Sequence, residues 1–426
     1  MKEIVTLLEK TNNIKKSAYF WNAMNAVISA LQNPVILLVM TRTNGIYDAG
    51  VFSVAFAIAT LMLYVGLYGL RRFQSSDLDE KYSFAEYHGM RILTCSIMIF
   101  VSIIYCVYGM VFTRYSMEKA LVILMICIVK VCQAYSDVYH GCMQQKGRLD
   151  VATKSSSVRY LLEMAAYVIL LVVTRNLVLS TAGFMIASII GLLLTSVNAG
   201  RNYCTYKPSF KKNKIKGLAV EGFPLFISLF LNMYISNAPK YAIDKFLTDE
   251  IQAIYNMIFM PAFAVMLIAN FIFNPILTTY AELWLADTSE SIRKLKLHIR
   301  KQVLFVAGLT VLGLVVAATI GIPVLSVIFG VDLGEYRFEL CVVMMGGGAL
   351  AYATYFSTVI TVIRMQKSLI VCYGAVAAAA KLLSGFFVMN YGIMGAAGMY
   401  ALLMIILAVM LMIITCFGIR RKNKND

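Results

Sequence analysis

The amino-acid sequence predicts an all-α polytopic membrane protein, with about 12 transmembrane helices arranged as two six-helix lobes around a central cavity. Three observations carry that expectation. The first is an almost unbroken succession of apolar runs of roughly 20 to 26 residues. At about 1.5 Å of rise per residue, each is long enough to cross a hydrocarbon core of roughly 30 Å. The second is composition, with 60% apolar and 14% charged residues, against roughly a quarter charged in a soluble domain. The third is the placement of the 38 Lys and Arg residues. Most of them fall in alternate connectors, a strong positive-inside bias.

Residues 1-16 (MKEIVTLLEKTNNIKK) lack the continuous apolar core and small-residue cleavage pattern of a signal peptide. They read as a cytoplasmic amphipathic segment with Ile4, Val5, Leu7 and Leu8 facing lipid. The N-terminal lobe with its linking loop, 17-216, holds apolar runs near 17-40, 47-70, 91-113, 117-142, 156-175 and 178-200. The C-terminal lobe, 217-419, holds runs near 218-243, 252-278, 302-322, 338-363, 368-390 and 394-418, and a basic cytoplasmic tail closes the chain at 420-426. Cations gather around Lys15 and Lys16, Arg71 to Arg91, Lys146 to Arg159, Arg201 to Lys216, Arg293 to Lys301, Arg364 and Lys367, and Arg420 to Lys424. That alternation places both termini in the cytoplasm.

The net charge of +16 is therefore a topology signal before it is a partner-binding surface, and no nucleic-acid partner is expected. The longest connectors, 71-90, 201-217 and 281-301, are too short to fold as catalytic or nucleotide-binding domains. No GxxxxGK[ST] loop is present. The nine cysteines form no CxxC and have no His at metal spacing, so they read as packing residues, and neither cofactor nor metal is expected. Pro34, Pro239, Pro261 and Pro275, with the run Gly346-Gly347-Gly348, mark places for helix bends.

Sliding the chain by 203 residues superposes the first two runs of one lobe on those of the other. Arg42 then falls on Lys245, Phe52 on Tyr255, Asn25 on Ser228, Ser29 on Asn232, and Asn33 on Ser236. The first run carries Asn22, Asn25, Ser29 and then Gln32 or Asn33 on one helical face; the seventh carries Ser228, Asn232, Ser236, Lys240 and Asp244 at steps of four. Such faces either line a cavity or hydrogen-bond between helices.

The fourth run repeats the pattern with Lys130, Gln133, Asp137, His140 and Gln144. Lys130 lies near mid-membrane, as does Lys381 after the small run Ala377 to Ala380. A lysine at a helix centre costs about 2.5 to 3.5 kcal/mol on insertion scales. Two readings stand: a structural ion pair of Lys130 with Asp137 or Glu163, or a cationic cavity for an anionic substrate. Arg42, Lys240 and Lys245 are outer-end cations with either a snorkelling or a substrate role. Asp137, Glu163 and Asp244 are candidates for ion coupling, although Arg159 stands four residues before Glu163 and suits an ion pair with it.

The stretch VILLVMTRTNGIYDAGVFSVAFAIATLM (35-62) resembles the signature of bacterial polysaccharide flippases, here at Arg42, Gly45, Gly50 and Phe52. Residues 222-265 resemble the second-half counterpart, with Pro224, Asp244 and Tyr255 in place. One departure is Thr-Asn-Gly after Arg42, where Leu-Gly is usual. The resemblance implies a member of the multidrug/oligosaccharidyl-lipid/polysaccharide transporter superfamily, in the multi-pass bacterial cytoplasmic membrane. Its implied substrate is a polyprenyl-diphosphate-linked oligosaccharide moved from the inner to the outer leaflet, with other envelope polysaccharide assembly proteins as partners. A diphosphate suits Lys and Arg, and a glycan suits Asn, Gln, Ser and Tyr. An inside-negative potential favours outward movement of each negative charge by about 2.3 kcal/mol per 100 mV. The alternatives are a multidrug antiporter of the same fold, which calls for a cavity of carboxylates, and a membrane-embedded glycan polymerase or ligase, which calls for a sizeable outer loop.

Overall fold

The computed structural model describes residues 2–77, 81–113, 115–204, 207–286 and 288–422. The side chain of Pro275, and residues 423–426 of the expected basic tail, lie outside what it describes. About 90% of the chain is helical, and the described residues contain no strand. Among the described residues, ten helices are long and apolar enough to cross a bilayer. One of the ten is folded on itself at Gly392, and the 37-residue helix Asp249–Leu285 stands outside the ten. The chain forms two compact units, residues 1–230 and 231–426, dividing inside one long helix.

Unit 1 begins with the short helix α1 (Lys2–Glu9). Val5 and Leu8 are buried in the unit's core and only Leu7 is strongly exposed, which corrects the expectation that this face meets lipid; the Ile4 side chain lies outside the described residues. The reason is electrostatic. The carbonyls at the end of α1 accept from Lys154 Nζ (Leu8 O and Lys10 O, both 3.0 Å) and from Arg148 (Glu9 O, 3.0 Å), cations placed where a helix C-terminus favours them. The Glu9 carboxylate accepts from Asn202 and Tyr203. Burial and that contact push the Tyr203 hydroxyl up to about 12.

α2 (Ile14–Thr43) starts at Asn13, whose side chain accepts from the Lys16 amide. It ends in the Thr-Asn-Gly turn, where Gly45 takes φ 101°, a backbone that other residues adopt only under strain. Asn44 fastens that turn by donating to Asp48 (2.8 Å) and to the Arg175 carbonyl (2.9 Å). α3 (Ile46–Leu67) is apolar all round and buried along most of its length, as suits a helix at the centre of its unit. Gly66 permits the closest contact there, since a Cβ would stand 2.9 Å from Ala134 and 2.8 Å from Met98. The unit continues with α4 (Leu70–Ser76), α5 (Phe84–Phe112), α6 (Met117–Gln145), α7 (Leu149–Thr174) and α8 (Leu177–Gly200). α8 contains a π-helical stretch over Leu192–Val197. The first part of α9 (Lys212–Phe246) completes it.

Cys142 at the end of α6 and Cys204 after α8 are joined as a disulfide, Cα to Cα 6.5 Å. This corrects the reading of all nine cysteines as packing residues: the return of the chain after α8 brings together two thiols that stand 62 residues apart.

Unit 2 contains the rest of α9, α10 (Asp249–Leu285), α11 (Ser289–Phe329), α12 (Arg337–Val362) and α13 (Gln366–Lys422). α13 is two arms. Gly392 has φ 56° and ψ −132°, and a Cβ at Gly395 would collide with the Phe387 carbonyl oxygen. Residues eight apart in a straight helix are separated by about 12 Å, so the chain must double back here.

The run Gly346-Gly347-Gly348 lies inside the continuous helix α12 and serves packing. Added Cβ atoms would meet Tyr400 at Gly346, the Ala262 backbone at Gly347 and Thr310 at Gly348, so three successive residues admit three different helices. Gly347→Ala is expected to lower the thermal midpoint of the purified protein. Its Cβ would lie 2.9 Å from a backbone oxygen, and such overpacking costs about 1 to 3 kcal/mol. Fluorescence-detected thermal melting checks this.

Candidate functional site

Three polar positions of α2 are tied to neighbouring elements or buried among them. Asn25, half-buried, accepts from the Ser157 hydroxyl at 3.3 Å, and Gln32 donates to Glu163 Oε2 at 2.8 Å. Asn33 Oδ1 is buried and has no hydrogen-bond partner among the described residues. Ser29 and Arg42 are exposed. The stripe expected along α2 therefore divides into a part that braces α7 and a part open to its surroundings.

Glu163 is 1% exposed. It accepts from Gln32 and from Ser188 (2.6 Å), and lies 3.6 Å from Arg159 Nε. The i,i+4 pair suggested by the sequence is present. Arg159, counted from sequence among the connector cations, is instead one of the largest fully buried side chains. Room for it exists because residue 191 is glycine: a Cβ there would stand 2.7 Å from Arg159 Cγ. Arg91, counted the same way, is 0% exposed and donates to Asp137 Oδ2 at 2.8 Å and to the Gly66 carbonyl. Arg71 reaches the other oxygen of Asp137 at 3.3 Å and also donates to Gln144.

The α6 stripe is consequently shared out among neighbours. Asp137 and Gln144 serve arginines, and His140 shares a hydrogen with Ser196 of the π-helical stretch. Lys130 forms no ion pair with either carboxylate that the sequence offered it, although Glu163, already paired with Arg159, is near enough to act on it electrostatically. It is 5% exposed, with Nζ 4.2 Å from the Phe56 ring centroid and 3.4 Å from Gln133 Oε1.

Unit 2 repeats this arrangement with different helices. Lys240 on α9 is 5% exposed, with Nζ 4.4 Å from the Phe259 ring centroid and 2.8 Å from Asn256 Oδ1. Phe259 follows Phe56 by the repeat offset of 203 residues. Each ring also packs on the aromatic residue one turn before it, Phe52 at 5.7 Å and Tyr255 at 5.6 Å. Each unit thus buries one ammonium group on equivalent rings with neutral partners, an arrangement in which cation–π attraction is strong because water is excluded. The signal was present in the sequence as the Phe56/Phe259 match, but the lysines arrive from non-equivalent helices and no offset reveals them.

The remaining positions are scattered. Ser236 is buried and donates to the Asn232 carbonyl of its own helix at 2.9 Å, and Asn232 itself is half-buried. Asp244 is half-buried, and Lys245 is exposed with Nζ 5.0 Å from the Phe246 ring. Lys381 is exposed. Among the described residues no group of three or more His, Cys, Asp or Glu could hold a metal ion.

Residues 17–280 match the family described as polysaccharide biosynthesis protein. The capsular polysaccharide biosynthesis protein CapF of Staphylococcus aureus is 23% identical over 326 residues, 75% of this chain and 78% of CapF. Among solved structures, the lipid II flippase MurJ in an inward closed conformation superposes with a TM-score of 0.69 at 12% identity, covering 94% of this chain and 90% of that one. An inward-facing multidrug resistance transporter of the MATE family and MOP superfamily superposes with a TM-score of 0.65 at 11% identity, covering 93% and 96%. These likenesses establish the fold. With the family match spanning well over half of the sequence, this multi-pass membrane chain belongs to the polysaccharide biosynthesis protein family.

Proposed function

We propose that the protein is a flippase that moves a polyprenyl-diphosphate-linked oligosaccharide from the inner to the outer leaflet of a bacterial cytoplasmic membrane by alternating access. The observation that carries this reading is the pair of buried ammonium groups, Lys130 and Lys240, one in each unit, each in direct contact with a ring and a neutral amide and neither in an ion pair among the described residues. A buried cation without an ion-pair partner is costly to maintain, so it suits an anion that comes and goes. The diphosphate is that anion. Exposed Lys381, Arg42 and Lys245 are further candidate cations for the diphosphate, and Asn25, Ser29, Asn232 and Ser236 suit a glycan. Asp137, Glu163 and Asp244 are the candidates for coupling to an ion.

A multidrug antiporter handling cations is disfavoured by the same geometry, since Arg71, Arg91 and Arg159 already occupy Asp137 and Glu163. Leaflet-resolved labelling of lipid-linked glycan in cells tests the proposal. Lys130→Gln and Lys240→Gln are expected to preserve expression and membrane insertion while the lipid-linked glycan accumulates in the inner leaflet. Unchanged outward transport in a well-expressed double variant refutes the role of these lysines.

A further inference from the structure

Unit 2 contains an apolar groove of about 350 Å3 between α11, α12 and the second arm of α13. Its walls include Val303, Thr310, Met345, Tyr352, Ala408 and Met412. The two hydroxyls in this lining are already satisfied within the protein, Tyr352 on the Val303 carbonyl at 2.8 Å and Thr310 on the Val306 carbonyl at 2.7 Å. Nothing in the wall asks for a polar ligand. Hydrocarbon is the occupant it fits, and all three helices are long and apolar enough to lie in a bilayer.

Length and charge narrow the occupant further. From Met345 to Phe356, both lining residues on α12, the groove runs eleven residues, about 16 Å along the helix. That matches the hydrocarbon depth of a single leaflet, about half of a 30 Å core. At one end stand cations. Arg300 is one turn before Val303, Arg364 and Lys367 follow the end of α12, and Arg420 follows Met412 by about two turns. All four are exposed, and none makes an ion pair among the described residues. The opposite end of the groove, around Met345 and Ile405, has no charged residue in its lining.

We propose that this groove binds one chain of an anionic glycerophospholipid, with the lipid phosphate held at the Arg300, Arg364 and Arg420 end. A single-leaflet groove capped by cations at one end is complementary to a lipid with one anionic headgroup, and a neutral headgroup leaves those cations unanswered.

The full chain in nanodiscs of phosphatidylcholine with a minor fraction of phosphatidylglycerol tests this, with retained lipid counted by native mass spectrometry. The expected result is one retained phosphatidylglycerol, preferred about tenfold over phosphatidylcholine. Ala408→Phe, which places a ring in the groove, removes that lipid. The double variant Arg300→Gln, Arg420→Gln retains a lipid but loses the preference. Met345→Trp, at an exposed rim position, replaces Ala408→Phe if the latter does not fold, and Lys211→Gln, outside unit 2, leaves the preference unchanged. Equal retention of both lipids by the unmodified protein overturns the proposal, as does a preference that survives both the filled groove and the charge variant. Displacement of phosphatidylglycerol by a polyprenyl phosphate, blocked by Ala408→Phe, also overturns it by giving the groove to an isoprenoid chain. A dimer lost with Ala408→Phe and no retained lipid assigns the face to a second copy instead.

Discussion

Asp137→Asn is expected to lower the thermal midpoint of the detergent-purified protein by on the order of 10 °C, or to abolish its folded yield. The substitution is nearly isosteric, so packing barely changes. What changes is charge: Arg91 is 0% exposed and Asp137 is the carboxylate it faces, at 2.8 Å. Leaving a fully buried guanidinium without its counter-ion costs about 3 to 5 kcal/mol. The Gly66 carbonyl and Thr94, which share that corner of α3 and α5, cannot neutralise it. Arg91→Met in the same background is expected to recover most of the loss, because replacing both partners of a buried pair by uncharged groups is often close to neutral. Arg71 keeps contact with Gln144 and is one-third exposed, so water relieves it. A thermal melt of both single variants and the double variant decides the matter. Additive losses would show that the two residues are not coupled.

Lys130→Met and Lys240→Met are expected to do the opposite. Each removes a buried amine whose partners are a ring and a neutral amide, so each variant should melt higher, by about 1 to 3 kcal/mol. Transport should nevertheless fall by at least about tenfold in each. Stability gained as function is lost is the signature of a residue retained for its work rather than for the fold. If either variant melts lower than the parent protein, that lysine is a structural member of its unit. Lys381→Met serves as the contrast: its side chain is exposed, so little change in melting is expected.

Much of the architecture was legible from hydrophobic periodicity, because in a bilayer every backbone polar group must be satisfied inside its own segment, and helix is the local answer. The Arg159/Glu163 pair was readable for the same local reason: an i,i+4 spacing depends only on near neighbours. Partners distant in sequence were not. Asp137 offered itself to Lys130 seven residues away, but Arg91 and Arg71 took it, because α5 and α4 pack on that face of α6 and Lys130 turns to Phe56 on α3. Charge counting placed Arg91 and Arg159 in polar connectors, since composition near a helix end does not reveal whether the side chain points to water or to protein. The amphipathic face of α1 was likewise correct as a pattern and wrong as a destination: two of its apolar residues are buried in unit 1, held there by Lys154 and Arg148. By itself the sequence determined the membrane class and the helical architecture, both of which follow from periodicities within single segments. Only the tertiary structure decided which charges are paired and which two lysines are left on aromatic rings, because that choice depends on which helices become neighbours, and no local spacing encodes it.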